Sequence, residues 1–475
     1  MGQQATPNRR RIRPMTETPT MRSIRTTTIG LAGLTLLALV AGGCTAGSPA
    51  ALRTTEPTAA AKPTATPRVI FNPVLPPGVS TPVPVSPDAW LAVGRKGVAG
   101  LEVILAGGTD TMFDSLPAGV PIQPDWGRMI ATERDGTRTV VDNLVVQPGF
   151  GGPSTAVDGA WRLPTIGPDP IPAGVSANGQ TIVLVEDGAP TTPGTSRFAI
   201  LAKGPGEPAR VVALKGRFDY DALSPDGGTL YVVEHLDADT GGAYQVRAVD
   251  VATGRLQDGV VADKRNIDEQ MAGYPLAQLR RDDGSVFTLY RGLEHPFIHA
   301  LNTKEGWALC IDLPATRADD AAAANDWGLA QSADGGTVYA ANATLGLVLE
   351  VDPVDYAVRR STSVKPLAGS RIVLAKFGHE ESGPVGRRVV VAPAGKTVYA
   401  AGSGGILAID TTDLAVRGTF ETGAAVNGLA VTIDGGTLYA LLTDGHIVKL
   451  DAATGERVAT VPGDGYDRLV AVVPW

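Results

Sequence analysis

Eight ionisable residues sit where loops would gather them: Glu133, Asp135, Glu186, Glu234, His235, Arg291, Glu294 and His295. They fall in four polar segments, Glu133–Thr137, Glu186–Thr195, Glu234–Gly242 and Arg291–Pro296. Convergent carboxylates can hold Ca²⁺ through oxygen ligands, and a Glu beside a His can act as a general base. His379, Glu380 and Glu381 add to the set from a separate loop. A solvated rim accounts for the same residues, because surface loops are charged anyway. Five histidines and two cysteines occur, and no spacing among them supplies the three or four ligands zinc needs. There is no Gly-x-Ser-x-Gly elbow, P-loop or His-Glu-x-x-His. No catalytic residue, metal site or cofactor is therefore assigned, Ca²⁺ at the rim being the one ion the residue types would suit.

What must position these residues is a repeat. The segments Ser224-Pro-Asp-Gly-Gly-Thr-Leu-Tyr231, Ser332-Ala-Asp-Gly-Gly-Thr-Val-Tyr339 and Thr432-Ile-Asp-Gly-Gly-Thr-Leu-Tyr439 are its best copies. The marker falls at Asp125, Asn178, Asp226, Asp282, Asp334, Ala394 and Asp434, each five residues before an apolar or aromatic residue. Spacings are 53, 48, 56, 52, 60 and 40 residues. A weaker copy, Asp88 leading to Val93, precedes them. Asp-Gly between apolar runs supplies the positive-φ residue of a tight hairpin. A second marker, apolar-Asp at Val249-Asp250, Val351-Asp352, Ile409-Asp410 and Leu450-Asp451, closes the third strand of a unit.

Four short strands per unit, at this period, predict an all-β propeller of four-stranded antiparallel blades. The unit at Asp226 predicts strands over Phe218–Leu223, Thr229–Glu234, Tyr244–Val251 and Arg255–Val261. The count is eight blades, or seven if Asp88 marks none. The run Arg468–Pro474 is spare after the last unit, so pairing of N- and C-terminal strands is expected to close the ring and remove its open edge. The recurrent Tyr is read as a wedge between blades whose polar tip finds a partner. Trp126, Trp327 and Cys310 are read as packing residues. With Ser224-Pro-Asp-Gly-Gly-Thr-Leu-Tyr-Val232 and its copies, the chain resembles the YVTN-type, quinoprotein-amine-dehydrogenase-like (WD40-like) β-propellers over about residues 86–475. The resemblance implies a scaffold used by binding proteins, lactonases and some dehydrogenases, and transfers no catalytic residue.

In a propeller the loops between second and third strands open on the same face as the connections between blades. The long connections Asp263–Tyr274, Pro314–Asp326 and Lys376–Pro384 therefore join the eight residues on one face. The short turns Ser403–Gly405 and Thr443–Gly445 predict a lower side opposite.

The N-terminal residues carry an address. Arg22 and Arg25 precede the apolar run Ile29–Val40, which is too short to span a bilayer, and Ala41-Gly-Gly-Cys44 follows. This resembles a bacterial lipoprotein signal, implying cleavage after residue 43 and lipidation of Cys44; Met21 is a possible true start. Residues 44–87, rich in Pro, Thr and Ala, read as a disordered linker, and 88–475 as the propeller. Without residues 1–43 the chain has 35 basic and 48 acidic residues, a net charge of −13, which disfavours nucleic acid. The expectation is an outward-facing, lipid-anchored binding or scaffold module in the cell envelope (periplasm or cell surface). It would hold a protein, peptide or glycan through the long-loop face and meet the membrane only through its anchor. The alternative is a propeller enzyme, a lactonase-like hydrolase or cofactor-dependent oxidoreductase.

Overall fold

The computed structural model describes residues 88–473, except 99, 109, 118, 123–125, 146–151, 169, 237–242, 262–270, 293–294, 315–322 and 368–384. Cys44, the linker, Asp125, Glu294 and His379-Glu380-Glu381 lie outside the described residues. The described strands pair into seven sheets, the largest of which contains two four-stranded units, so eight blades follow.

Blade 1 runs Tyr466–Val473, Trp90–Arg95, Leu101–Leu105, Thr111–Leu116 from inside to outside. Blade 2 is Gly119–Pro121, Arg128–Asp135, Arg138–Val145, Ser154–Asp158, and blade 3 is Trp161–Arg162, Ile182–Glu186, Thr195–Leu201, Arg210–Lys215. Blade 4 is Phe218–Leu223, Thr229–His235, Ala243–Asp250, Arg255–Leu256. Blade 5 is Met271–Arg280, Ser285–Gly292, Phe297–Asn302, Trp307–Asp312. Blade 6 is Gly328–Gln331, Val338–Asn342, Leu347–Asp352, Ala357–Ser363. Blade 7 is Val389–Val391, Thr397–Gly402, Gly405–Asp410, Val416–Phe420, and blade 8 is Val426–Val431, Thr437–Leu442, Ile447–Asp451, Arg457–Thr460.

Central strands bury both faces, and side-chain alternation sends successive residues into opposite seams. In Thr229–His235, Leu230 and Val232 pack against blade 3, while Tyr231 and Val233 pack against blade 5. Every seam has its own apolar cluster. Blades 1 and 2 share Leu116 with Met129, blades 2 and 3 Val141 with Leu184, blades 3 and 4 Phe198 with Leu230, and blades 4 and 5 Tyr231 with Phe297. Blades 5 and 6 share Phe287 with Trp327, blades 6 and 7 Tyr339 with Val398, blades 7 and 8 Phe420 with Leu438, and blades 8 and 1 Tyr439 with Leu91. Eight seams joining eight blades in a cycle make the ring closed. The closing strand is the spare C-terminal run, paired antiparallel from Trp90↔Val473 to Arg95↔Tyr466. The repeated tyrosines pin the seams with their tips: Tyr231 donates to the Thr303 carbonyl at 3.0 Å and Tyr399 to the Ala452 carbonyl at 2.7 Å, each in the next blade. Trp126 and Trp327 are buried in seams, as packing residues should be.

The marker turns follow one chemistry. Asp226 Oδ1 accepts the Ser224 hydroxyl at 2.6 Å and the Gly228 amide at 3.0 Å, and Ser224 Oγ in turn accepts the Thr229 amide at 2.9 Å. Ser332/Asp334, Thr432/Asp434 and Ser176/Asn178 repeat the pattern. In blade 5 the role passes from Asp282 to Asp283, whose Oδ1 accepts the Ser285 amide at 2.8 Å. That turn is one residue shorter, closing Arg281 N on Ser285 O rather than spanning five residues as at Ser224 and Thr229. At Ala394 no side-chain acceptor exists, and backbone bonds alone, Ala392 N to Thr397 O at 2.8 Å among them, close the turn.

The Ser or Thr hydroxyl and then the Gly amide hold Asp226, Asp334 and Asp434 below the ordinary carboxylate range. Their folded pKa is depressed, so the stability they contribute is complete above the unfolded value, about 3.9, and drains as pH falls through the folded one. Thermal unfolding should thus become markedly easier below about pH 4. A triple Asp226→Asn, Asp334→Asn, Asp434→Asn protein should lose less over that interval; an unchanged acid dependence would refute the assignment.

Two segments depart from the plain ring. Residues 163–174 interrupt the inner strand of blade 3, and Pro164, Pro168, Pro170 and Pro172 cannot donate to a ladder. From this excursion Ile166 packs in the seam of blades 3 and 4, Ile171 packs against the cluster of blades 1 and 2 that holds Met129, and Gly167 abuts the Pro275 carbonyl of blade 5. The second segment, Val385–Gly386, pairs in parallel with the closing strand (Val385↔Arg468, Gly386↔Leu469). The free edge of an innermost strand faces the middle of the ring, so Val385–Gly386 lies on the inner side of blades 8 and 1, while the blade 3 excursion reaches from blade 5 to blades 1 and 2.

Candidate functional site

The rim residues within the described set do share one end of the blades. Glu133 and Asp135 end the second strand of blade 2, Glu186 that of blade 3, Glu234 and His235 that of blade 4, and Arg291 that of blade 5, with His295 just before the third strand. Most are tied down inside their own blade. Glu186 accepts Arg197 Nη1 at 2.8 Å and the Thr191 hydroxyl. Burial works against its charge, but Thr191 and Arg197 prevail and hold its carboxyl below the ordinary range. Glu234 accepts Gln245 Nε2 at 2.7 Å and Arg247 Nη1 at 2.9 Å. His235 Nε2 lies 2.7 Å from Asp219 Oδ2, and His295 Nε2 lies 3.0 Å from Asp312 Oδ1. Arg291 Nη1 donates to Asn325 Oδ1 at 3.3 Å, on the connection into blade 6. Glu133 and Asp135 are exposed. Burial, and Glu133 nearby, push Asp142 above the ordinary carboxylate range.

Blades 7 and 8 carry tight turns at this end, Gly402 pairing with Gly405 and Gly445 N closing on Leu442 O. A polar chain not anticipated from sequence runs across blades 6 to 8 instead. Thr344 donates to Asp326 Oδ2 at 2.5 Å, Arg388 Nη1 lies 3.3 Å from Asp326 Oδ1, and Arg388 reaches Val426 O at 3.3 Å and Asn427 Oδ1 at 3.4 Å. The Asp326-Trp327-Gly328 segment was the only signal for it, and it names no partner.

A second group missed by sequence reasoning lies beneath the rim, in the seam between blades 4 and 5. Gln278 Nε2 donates to the Asp221 carbonyl and to Thr288 Oγ1, both at 3.0 Å. Thr288, His299 and Cys310 face one another across three strands of blade 5. Tyr244 and Tyr290 stack with ring centroids 5.0 Å apart, and His299 meets Tyr290 edge-on at 6.3 Å. Asp221 is 2% exposed and its Oδ2 has no hydrogen-bond partner. Among the described residues no group of three His, Cys, Asp or Glu could hold a metal ion.

Fold and rim together define an eight-bladed β-propeller with a polar face on blades 2 to 5. No protein-family model and no curated protein matches the chain. Solved structures similar to it include the dihydro-heme d1 dehydrogenase NirN in complex with DHE, at 14% identity and TM-score 0.46 over 80% of this chain and 74% of that one. AztD from Citrobacter koseri is similar at 15% identity and TM-score 0.46, over 80% of this chain and 96% of that one. Sqt1 from Saccharomyces cerevisiae is similar at 14% identity and TM-score 0.43, over 74% and 85%.

Proposed function

We propose that the chain is a YVTN-type propeller, lipid-anchored through Cys44 and facing outward in the cell envelope, that binds a protein, peptide or glycan on the rim of blades 2 to 5. The observation that carries this is the alignment of the described rim residues at one end of four consecutive blades, most of them held by polar contacts to neighbouring strands. Groups fixed in advance cost little side-chain entropy on binding, and loops on a rigid scaffold are where recognition concentrates. The blade 3 excursion into the ring's interior favours a partner laid across the face rather than one threaded through it.

The test uses membrane-extracted protein carrying Glu133→Lys and Asp135→Lys. These positions are exposed, so reversal adds charge without breaking the pairs at Glu186 or Glu234. Capture of the native partner should weaken roughly tenfold, the equivalent of about 1.4 kcal/mol. Unchanged capture would remove the rim assignment. Native mass spectrometry of the same preparation adds a second arm: a discrete small-molecule increment would replace the binding module with the enzyme reading.

A further inference from the structure

Asp221 occupies the innermost strand of blade 4 at a bulge. Its neighbours pair as Tyr220↔Val232 and Ala222↔Tyr231, which leaves Asp221 without a cross-strand partner. Bulges re-aim side chains and recur beside functional positions. Gln278 Nε2 donates to the Asp221 backbone carbonyl and to Thr288, and the carboxyl Oδ2 has no hydrogen bond. A buried carboxylate without hydrogen bonds is costly, and the neutral acid is the form such a place tolerates.

The titratable groups around it supply little compensation. Arg280, on the inner strand of blade 5, is the cation acting on it, and Arg280 is exposed with its Nε on Gln278 Oε1 at 3.2 Å. Tyr290, His299 and Cys310 stand on the other strands of blade 5, and Tyr244 on the third strand of blade 4. On its own strand Tyr220 points into the other seam, and Asp219 is engaged by His235. Burial raises the Asp221 carboxyl to about 7, against the smaller opposing pull of Arg280.

The seam is also where two blades share backbone. Blade 5 begins by pairing Ala272 and Met271 with Ala243 and Tyr244 of blade 4, so the two sheets are continuous there. Tyr244 thus belongs both to the backbone stitch and to the phenol stack beside Asp221.

We propose that Asp221 is the proton-binding residue of a pH-responsive seam between blades 4 and 5. With the carboxyl neutral the seam is closed; a proton lost to bulk water leaves a buried carboxylate that weakens it. The sign follows from the raised folded pKa. The contribution is complete below the unfolded value, about 3.9, and is lost as pH rises through about 7, opposite in direction to the marker-turn carboxylates.

Urea unfolding of the full chain, wild type against Asp221→Asn, tests this in steps from about pH 5 to pH 8.5. The folding equilibrium constant of the wild type relative to the variant should fall about tenfold per pH unit up to about pH 7 and then level off. Amide exchange, corrected for its intrinsic rate, should speed up with pH in Met271–Arg280 and not in Val426–Val431. Parallel pH dependence of the two proteins, or no difference in exchange between the two strands, would overturn the proposal. Should Asp221→Asn fail to fold, infrared spectroscopy on an Asp142→Asn background decides. A protonated-carboxyl band vanishing near neutral pH supports the assignment, and no such band refutes it.

Discussion

A chain ending at residue 465 will not hold the propeller. Tyr466–Val473 is the inner strand of blade 1, although the rest of that blade lies at the other end of the sequence. Tyr466, Leu469, Val470 and Val473 are all buried, at 1, 0, 4 and 2% exposure. At about 1.5–3 kcal/mol for each buried large side chain, their loss removes roughly 6–12 kcal/mol. A whole domain is stable by only about 5–15 kcal/mol. Truncation also unpairs the edge of Trp90–Arg95 and opens the seam with blade 8, exposing a strand that invites self-association. Arg95 loses its seat over the Tyr466 ring, 4.4 Å from the centroid, and its bond to the Tyr466 hydroxyl at 3.1 Å. Circular dichroism should show no cooperative melt, and size exclusion should show aggregates. A monomer melting like the intact chain would refute closure by this strand.

The second large effect lies at Gly386. A Cβ there would stand 2.6 Å from Gly428 Cα and 3.2 Å from Leu469 O, and a Cβ on Gly428 would stand 2.7 Å from Gly386 Cα. Backbone meets backbone, so neither position can yield by turning a side chain. Gly386→Ala and Gly428→Ala should each cost about 1–3 kcal/mol. Both changes lift the same segment off the same surface. The double variant should therefore cost little more than the worse single, a coupling that a double-mutant cycle in urea measures directly. Additive costs would mean that the two glycines do not share one contact.

Much of the architecture was legible because it is local. Asp-Gly turns, alternation within strands and the period of the repeat are properties of short windows. They carried the all-β class, the four-stranded unit, and strands such as Phe218–Leu223 to the residue. Boundaries slipped where a strand ends by tertiary competition. The third strand of blade 4 ends at Asp250 and the fourth keeps only Arg255–Leu256, while the far part of the third strand takes Met271 and Ala272 as partners. The turn of blade 5 moved by one residue because Asp282 and Asp283 are equivalent in sequence and only the hairpin's length distinguishes them.

The candidate site divides in the same way. That Glu186, Glu234, His235, Arg291 and His295 share an end of the blades follows from their place after the second strand, which sequence shows. That Arg197, Arg247, Asp219 and Asp312 are their partners does not, since each partner comes from a different strand brought alongside by pairing. Asp221 looked like any Asp in Phe-Asp-Tyr-Asp-Ala-Leu; one bulge takes away its cross-strand partner, and the seam with blade 5 takes away its water. Sequence by itself determined the repeat, the blade and the end of the blade at which the rim residues stand, because turn chemistry and strand period act between near neighbours. The tertiary structure alone decided which blades meet, how the ring closes, what lies inside it and that a carboxyl oxygen of Asp221 is buried without a hydrogen bond. Those depend on contacts between residues far apart in the chain, and no local preference encodes them.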